Sequence, residues 1–324
     1  MEAAHYISYL LSEPRKVSCV KASEVLEVSH DGTNRFLLSN DFTGKELFEA
    51  VKAGLCLEGG TLSADDSVLD KPFSELQSTE LVGFFWSGRH HRTVKGINLI
   101  ALFYTDPSGL RFPVNFRLYR HREGKSKHDY FQQMVKECYE WGLRPAWVSA
   151  DSWYASLENL KFLRDKEVGF LIGLEANRIV SSLPGSHEQV RQIEAFPEQG
   201  LLTHLKGFDF VKVFRTVDKE GRVRHYAMYL PDREKCRQLS REVFEQVKAQ
   251  HWHVEEFFRT LKQECHAQHF FVRDTQAIKN HIFCVLRAFQ RLVWMSQDQI
   301  IENVYALQRK LFLKVQREFI QNYA

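Results

Sequence analysis

A chain of 324 residues, 44% hydrophobic and 26% charged, has an ordinary folded-protein composition and enough length for one elaborate catalytic domain or two to three modules. Its longest apolar runs, such as residues 99–104, are too short to cross a bilayer, and Met1-Glu-Ala-Ala-His-Tyr6 lacks the basic start and apolar core of a secretion signal. The net charge of +3 excludes little by itself, while six scattered cysteines without a C-x-x-C pair predict a reduced, cytoplasmic protein with no disulfide frame.

Residues 1–57 are expected to be helical. Lys21–Val28 has the pattern of a short amphipathic helix, and Ser29 offers an N-cap to a second one over Gly32–Leu38. Two short helices around a tight turn suggest a helix-turn-helix, with Asn34 and Arg35 available to a groove or to phosphates. An ordinary helical hairpin has the same pattern. After Gly59-Gly60, residues 61–66 read as a short strand ending in two acids, followed by a basic linker that carries Trp86. Gly96–Tyr104 and Phe112–Tyr119 then form two strands around the turn Asp106-Pro-Ser-Gly109. Between Trp86 and Lys127 nine bases (Arg89, Arg92, Lys95, Arg111, Arg117, Arg120, Arg122, Lys125, Lys127) face two acids (Asp106, Glu123), a local excess of 9 − 2 = +7. That excess suits a polyanion, or else a solvated face balanced by acids elsewhere.

Asp129–Trp141 reads as a helix, 145–150 as a strand entering Asp151, and Ala155–Lys166 as another helix. From Val168 to Pro231 the texture changes to short strands, at 170–173, 195–196, 201–205, 208–213 and 225–229, which predicts a β-rich insertion. Helices resume at Arg233 and run through Glu255 to 277–292 and 297–320. Cys265 and His269 are spaced for one helical face, but with no second ligand pair a packed thiol is the simpler expectation.

Within His251–Lys262, a helical repeat aligns Glu255, Arg259 and Lys262, with His251 one turn earlier. Val254, Phe258, Leu261 and Cys265 make the neighbouring apolar stripe. A strand–hairpin–helix–strand–helix order builds a five-stranded mixed sheet with helices on both faces. In such a sheet Asp65 or Asp66 comes beside Asp151, and Glu255 closes the triangle from a packed helix. Three carboxylates suit two Mg²⁺ or Mn²⁺ ions and phosphoryl chemistry. Each acid also has a plainer role: Asp151 as a helix cap, Asp65-Asp66 as a turn, Glu255 and Glu256 as solvated helix charges.

These blocks resemble the DDE transposases of bacterial insertion sequences, the class with an RNase H-like core interrupted by a β-strand insertion. Gly59–Lys71 is similar to the first-acid block, Phe85–His91 and Val94–Leu99 to the segment after it, Val148–Tyr154 to the second-acid strand, and Val254–Lys262 to the third-acid helix. The resemblance covers nearly the whole chain. It implies an α/β fold divided into a DNA-binding helical region (1–57), a first core part (58–167), the insertion (168–232) and a second core part with C-terminal helices (233–324). It implies Asp65, Asp151 and Glu255 as catalytic metal ligands, the first favoured over Asp66 by an acid-x-Ser/Thr pattern and the third over Glu256.

Many relatives carry a Tyr-Arg-Glu-Lys signature around the third acid. Here Lys262 falls at the Lys position, with His251 and Lys248 where the Arg and Tyr would be. DNA contacts are thus expected from Asn34, Arg35, Arg89, Arg92, Lys95, His251, Arg259 and Lys262. The insertion holds no Trp to stack on a flipped base, and Trp86 and Trp252 read as core aromatics. The implied activity is cleavage at terminal inverted repeats and transfer of the 3′-OH to target DNA, by a homodimer on double-stranded DNA in the nucleoid. A metal-dependent endonuclease without strand transfer and a non-catalytic DNA-binding descendant are the alternatives.

Overall fold

The computed structural model describes residues 1–88, 90–183 and 185–323. Four short helices lead: α1 (Ala3–Ser12), α2 (Cys19–Leu26), α3 (His30–Ser39) and α4 (Gly44–Lys52). The expected cap is present, since Ser29 Oγ accepts the Gly32 backbone N–H at 3.0 Å. The core strands and helices follow: β1 (Thr61–Asp70), β2 (Val82–Ser87), β3 (Arg92–Thr105), β4 (Arg111–Leu118), α5 (Lys127–Glu140), β5 (Trp147–Ala150), α6 (Leu157–Asp165) and β6 (Gly169–Leu174). The insertion adds β7 (Ile179–Ser181), β8 (Glu188–Gln189), β9 (Leu201–Leu205), β10 (Phe210–Val217) and β11 (Val223–Tyr229). Helices α7 (Arg233–Gln238), α8 (Arg241–Gln263), α9 (Thr275–Gln297) and α10 (Ala306–Tyr323) complete the chain.

The central order is β4-β3-β1-β5-β6, with β3 antiparallel to β1 and β5 and β6 parallel to it. This is the mixed RNase H-like sheet, with α5 on one face and α8 on the other. Several expectations change, and the helix expected over 297–320 begins only at Ala306. Residues 82–87 are not a linker but a strand, pairing with the start of β3 on the edge whose other end holds β4. Trp86 and Trp252 are 66% and 49% exposed, so neither is a core aromatic. Residues 195–196 lie in a bend outside any strand.

The insertion does not stand apart from the sheet. β11 pairs with the free edge of β6, and β10, β9, β7 and β8 extend the same sheet to eleven strands. The N-terminal helices share the main hydrophobic core with the C-terminal ones. Buried Asn280 of α9 donates to the carbonyls of Leu37 and Asn40 at 2.7 and 2.6 Å, which ties α3 to α9. Cys265 is buried just beyond α8, as a packed thiol, and all six cysteines are free. No helix among the described residues is long and apolar enough to cross a membrane.

Candidate active site

Strand β1 does not end at its acids. It continues to Asp70 along β3, but its parallel partner β5 stops opposite Ala64. Asp65 and Asp151 are therefore the next residues on adjacent parallel strands, where the paired region opens. Side chains alternate along a strand, so Ser63 and Asp65 share one face and Asp66 takes the other.

The first face belongs to α8. Ser63 Oγ and Ser149 Oγ are hydrogen-bonded at 2.9 Å, and Ser149 Oγ is 3.1 Å from His251 Nδ1. The neighbouring Gln250 side chain accepts from the Thr61 hydroxyl. Two residues further along each strand stand Asp65 and Asp151, and one turn further along the helix stands Glu255. The register thus carries all three acids to the same end of one sheet face. A glycine lets the chain turn there: a Cβ on Gly173 would lie 2.8 Å from the Ser152 backbone nitrogen.

Electrostatics record the convergence. Burial, then the charges of Asp66, Asp151 and Glu255, hold the Asp65 carboxyl well above the usual carboxylate range. Asp151 keeps an exposed edge at the mouth of the site. Desolvation by the surrounding protein and the charge of Asp66 nonetheless raise it from 3.8 to about 6, against the pull of the Trp153 and Tyr154 backbone N–H groups and Lys127. Glu255 is also raised by desolvation, opposed by Arg224 and Arg259. Glu256 points elsewhere, 3.4 Å from Arg111.

Asp66, on the α5 face, is surrounded by donors. Asn98 Nδ2 lies at 2.6 Å, Lys127 Nζ at 2.8 Å and the Tyr154 hydroxyl at 3.3 Å. Three hydrogen bonds, one of them an ion pair, leave this carboxylate fully engaged in holding β1, β3, α5 and the loop after Asp151 together.

The other expected DNA contacts are dispersed. Asn34 hydrogen-bonds His30 and Arg35 is exposed on α3, in the helical region rather than at the acids. Arg89 lies outside the described residues. Arg92 and Lys95 occupy the far end of β3, about 30 Å and about 20 Å along the strand from Ala101, which faces Asp65. Arg259 is exposed one turn beyond Glu255, and Lys262 is half-buried. His251 is turned inward: burial pushes its imidazole down to about 4, so it is neutral and engaged with Ser149. Much of the predicted basic excess is balanced across the fold, since Arg117 pairs with Glu137, Arg120 with Glu80 and Lys127 with Asp66.

Four residues at the site were missed in the sequence. Trp153 is 61% exposed beside Asp151, its backbone N–H on Asp151 Oδ1 at 3.0 Å and its ring 5.6 Å from Lys127 Nζ. Glu175 accepts from Ser152 Oγ at 2.6 Å, Tyr154 is buried against Asp66, and the charge of Arg224, from the insertion, acts on Glu255. Only Trp153 carried a local signal, a large aromatic two residues after an acid at a strand end.

Among the described residues, no three His, Cys, Asp or Glu side chains are already closed around a single point as a metal cage. The donor chemistry nevertheless fits a hard divalent cation: oxygen ligands that burial, and at Asp65 and Asp151 the charge of neighbouring acids, shift toward the protonated form, and which a cation would let ionise.

Comparison with known proteins follows the same lines. The profile described as Transposase DDE domain matches residues 66–289, more than half of the chain. The piggyBac transposase, solved in a synaptic complex with hairpin DNA, is similar in fold at a TM-score of 0.53 and 12% identity, covering 99% of this chain and 68% of that one. The Drosophila P element transposase in a strand transfer complex gives a TM-score of 0.29 at 9% identity, over 60% of this chain and 48% of that one, too low to carry an argument. No curated protein matches.

Proposed function

Because the chain belongs to the Transposase DDE domain family, we propose that it is a DNA transposase that cuts at the terminal inverted repeats of its own element and joins the freed 3′-OH to target DNA. The observation that carries this reading is the convergence of Asp65, Asp151 and Glu255 at the open end of the β1–β5 pair, on the α8 face. These three carboxylates would hold Mg²⁺ or Mn²⁺, two ions per site. Such ions, when bound, supply activation of the attacking oxygen and stabilisation of the leaving one.

The chain's own groups do the rest. β1 and β5 fix the spacing of the two aspartates, and His251 with Ser149 and Ser63 fixes the rotation of α8 that presents Glu255. Asp66, Lys127 and Tyr154 brace the opposite face. Arg259 and Lys262 on α8 are proposed to meet phosphates near the site. Asn34, Arg35, Arg92 and Lys95, with Arg89, would meet more distant DNA. His251, held neutral and inward, is better suited to positioning than to a phosphate. A homodimer bridging two element ends is part of this reading.

The test is direct: purified protein, Mg²⁺ and duplexes bearing labelled element ends, followed by a pre-cut end with plasmid target. Cutting and joining that disappear in Asp151→Asn support the reading. Cutting without joining would leave an endonuclease, and DNA binding without either reaction a non-catalytic descendant.

A further inference from the structure

We infer that Arg224, a residue of the strand insertion, is a phosphate-binding member of the active centre that grips the DNA strand beside Glu255. The inference rests on the transposase reading above and assigns the insertion a part in that site.

Strand register places it there. β5 and β6 are parallel with Ala150 opposite Ile172, so Gly173, one step on, is level with Asp151. Gly173 in turn pairs with Tyr226 of β11. Because β11 runs antiparallel, Arg224 lies two residues past that row, toward the mouth of the site, on the same face as Tyr226. That face is the one covered by α8: the Tyr226 ring is 5.5 Å from the Phe244 ring, and Lys248 Nζ is 5.8 Å from Tyr226. The intervening His225 turns to the other face, 5.9 Å from Phe196. The alternation is therefore fixed on both sides, and Arg224 projects on the α8 side as that helix crosses the sheet toward Glu255.

The charge pattern agrees with the geometry. Arg224 and Arg259 are the two cations acting on Glu255, one from the insertion and one from the helix itself. Arg224 is exposed, so a ligand can reach its guanidinium. A cluster of carboxylates repels a polyanion, and a DNA strand entering it needs a positive group at the rim. A guanidinium offers paired N–H donors that match two oxygens of one phosphodiester, which an ammonium does not. The half-buried, neutral His251, engaged with Ser149, does not provide this at its own turn of α8. The ligand is therefore a phosphodiester of the bound strand close to the scissile one, and its source is the duplex being cut.

The experiment uses the full chain with Mn²⁺ and element-end duplexes in which single phosphates near the cut are replaced by uncharged methylphosphonate. Arg224→Ala is expected to lower kcat/KM by about 30-fold, with Arg224→Lys recovering part of it and the Mn²⁺ concentration for half-maximal rate moving less than about threefold. One methylphosphonate position should cost the wild type a similar factor while costing Arg224→Ala almost nothing. Equal penalties at every position in both proteins, or an Arg224→Ala enzyme as fast as wild type, would overturn the inference. If Arg224→Ala loses its far-UV circular dichroism, Arg224→Lys and Arg224→Gln carry the same comparison. A wild type that binds but never cuts would defeat the transposase reading instead. Affinities for the same methylphosphonate series, by fluorescence anisotropy, would then decide the Arg224 contact alone.

Discussion

Asp65 and Asp66 are adjacent in the sequence and have the same side chain, yet the two faces of β1 give them opposite surroundings. On the α5 side Asp66 is met by an amide, an ammonium and a phenol, so its charge is satisfied from within the protein. On the α8 side Asp65 is met by the charges of other acids, and among the described residues its carboxylate accepts from the next residue's backbone N–H, at 2.7 Å. A satisfied carboxylate is structural, whereas a crowded one is destabilising until something positive arrives. The contrast separates brace from candidate ligand without reference to conservation.

The largest expected effect would break this comparison if absent. Asp65→Asn and Asp151→Asn should each lower DNA cleavage by at least about 10³-fold, while Asp66→Asn should remain within about tenfold of wild type, measured as single-turnover rates. Asp66 should instead show itself in stability. Asp66→Ala leaves Lys127 and Asn98 without their acceptor and should cost about 2 kcal/mol in urea unfolding.

Next in size is the pH dependence of the metal-free protein. Asp151 has its carboxyl raised from 3.8 to about 6, so the folded state holds this proton more tightly than the unfolded chain does. The resulting stabilisation is fully present below about 4 and lost as the pH rises through about 6. The melting temperature should therefore fall across that window, Mg²⁺ or Mn²⁺ should restore it at pH 7.5 but barely raise it at pH 4.5, and Asp151→Asn should flatten both responses. Differential scanning fluorimetry reads all three.

Trp153 stands where the two faces meet, beside Asp151 and over Lys127. An exposed indole in that place suits base stacking, so Trp153→Ala should weaken binding of a frayed or single-stranded end by about 1–3 kcal/mol in anisotropy titrations, with Trp153→Phe keeping most of it. The smallest effect sharpens the role of His251. His251→Asn should slow cleavage a few-fold yet leave the salt dependence of DNA affinity unchanged, whereas Arg35→Ala should reduce that slope by about 0.9 if Arg35 meets a phosphate.

Much of this layout was legible in the chain itself. The cap at Ser29, the helical repeat through Glu255 and the apolar run in 96–104 all act through residues a few positions apart, and each of these elements formed within a few residues of its expected place. Residues 82–87 were missed because Phe84 and Trp86 are exposed while Val82 and Phe85 are buried, leaving no polar-apolar contrast to mark a strand. The acids at 65–66 read as a strand end because charged residues are poor strand formers. The donors that keep β1 extended through them come from Asn98, Lys127 and Tyr154, distant in sequence.

The sequence by itself determined most of the element types, their order and the identity of three candidate acids, since periodicity, capping and residue chemistry are local properties. Only the tertiary structure decided which of two neighbouring aspartates faces the helix, that His251 points inward, and that Arg224 of the insertion falls on the sheet face that α8 covers. Those outcomes depend on strand register and on which edge β11 finds, and a shift of one residue in either would exchange every face.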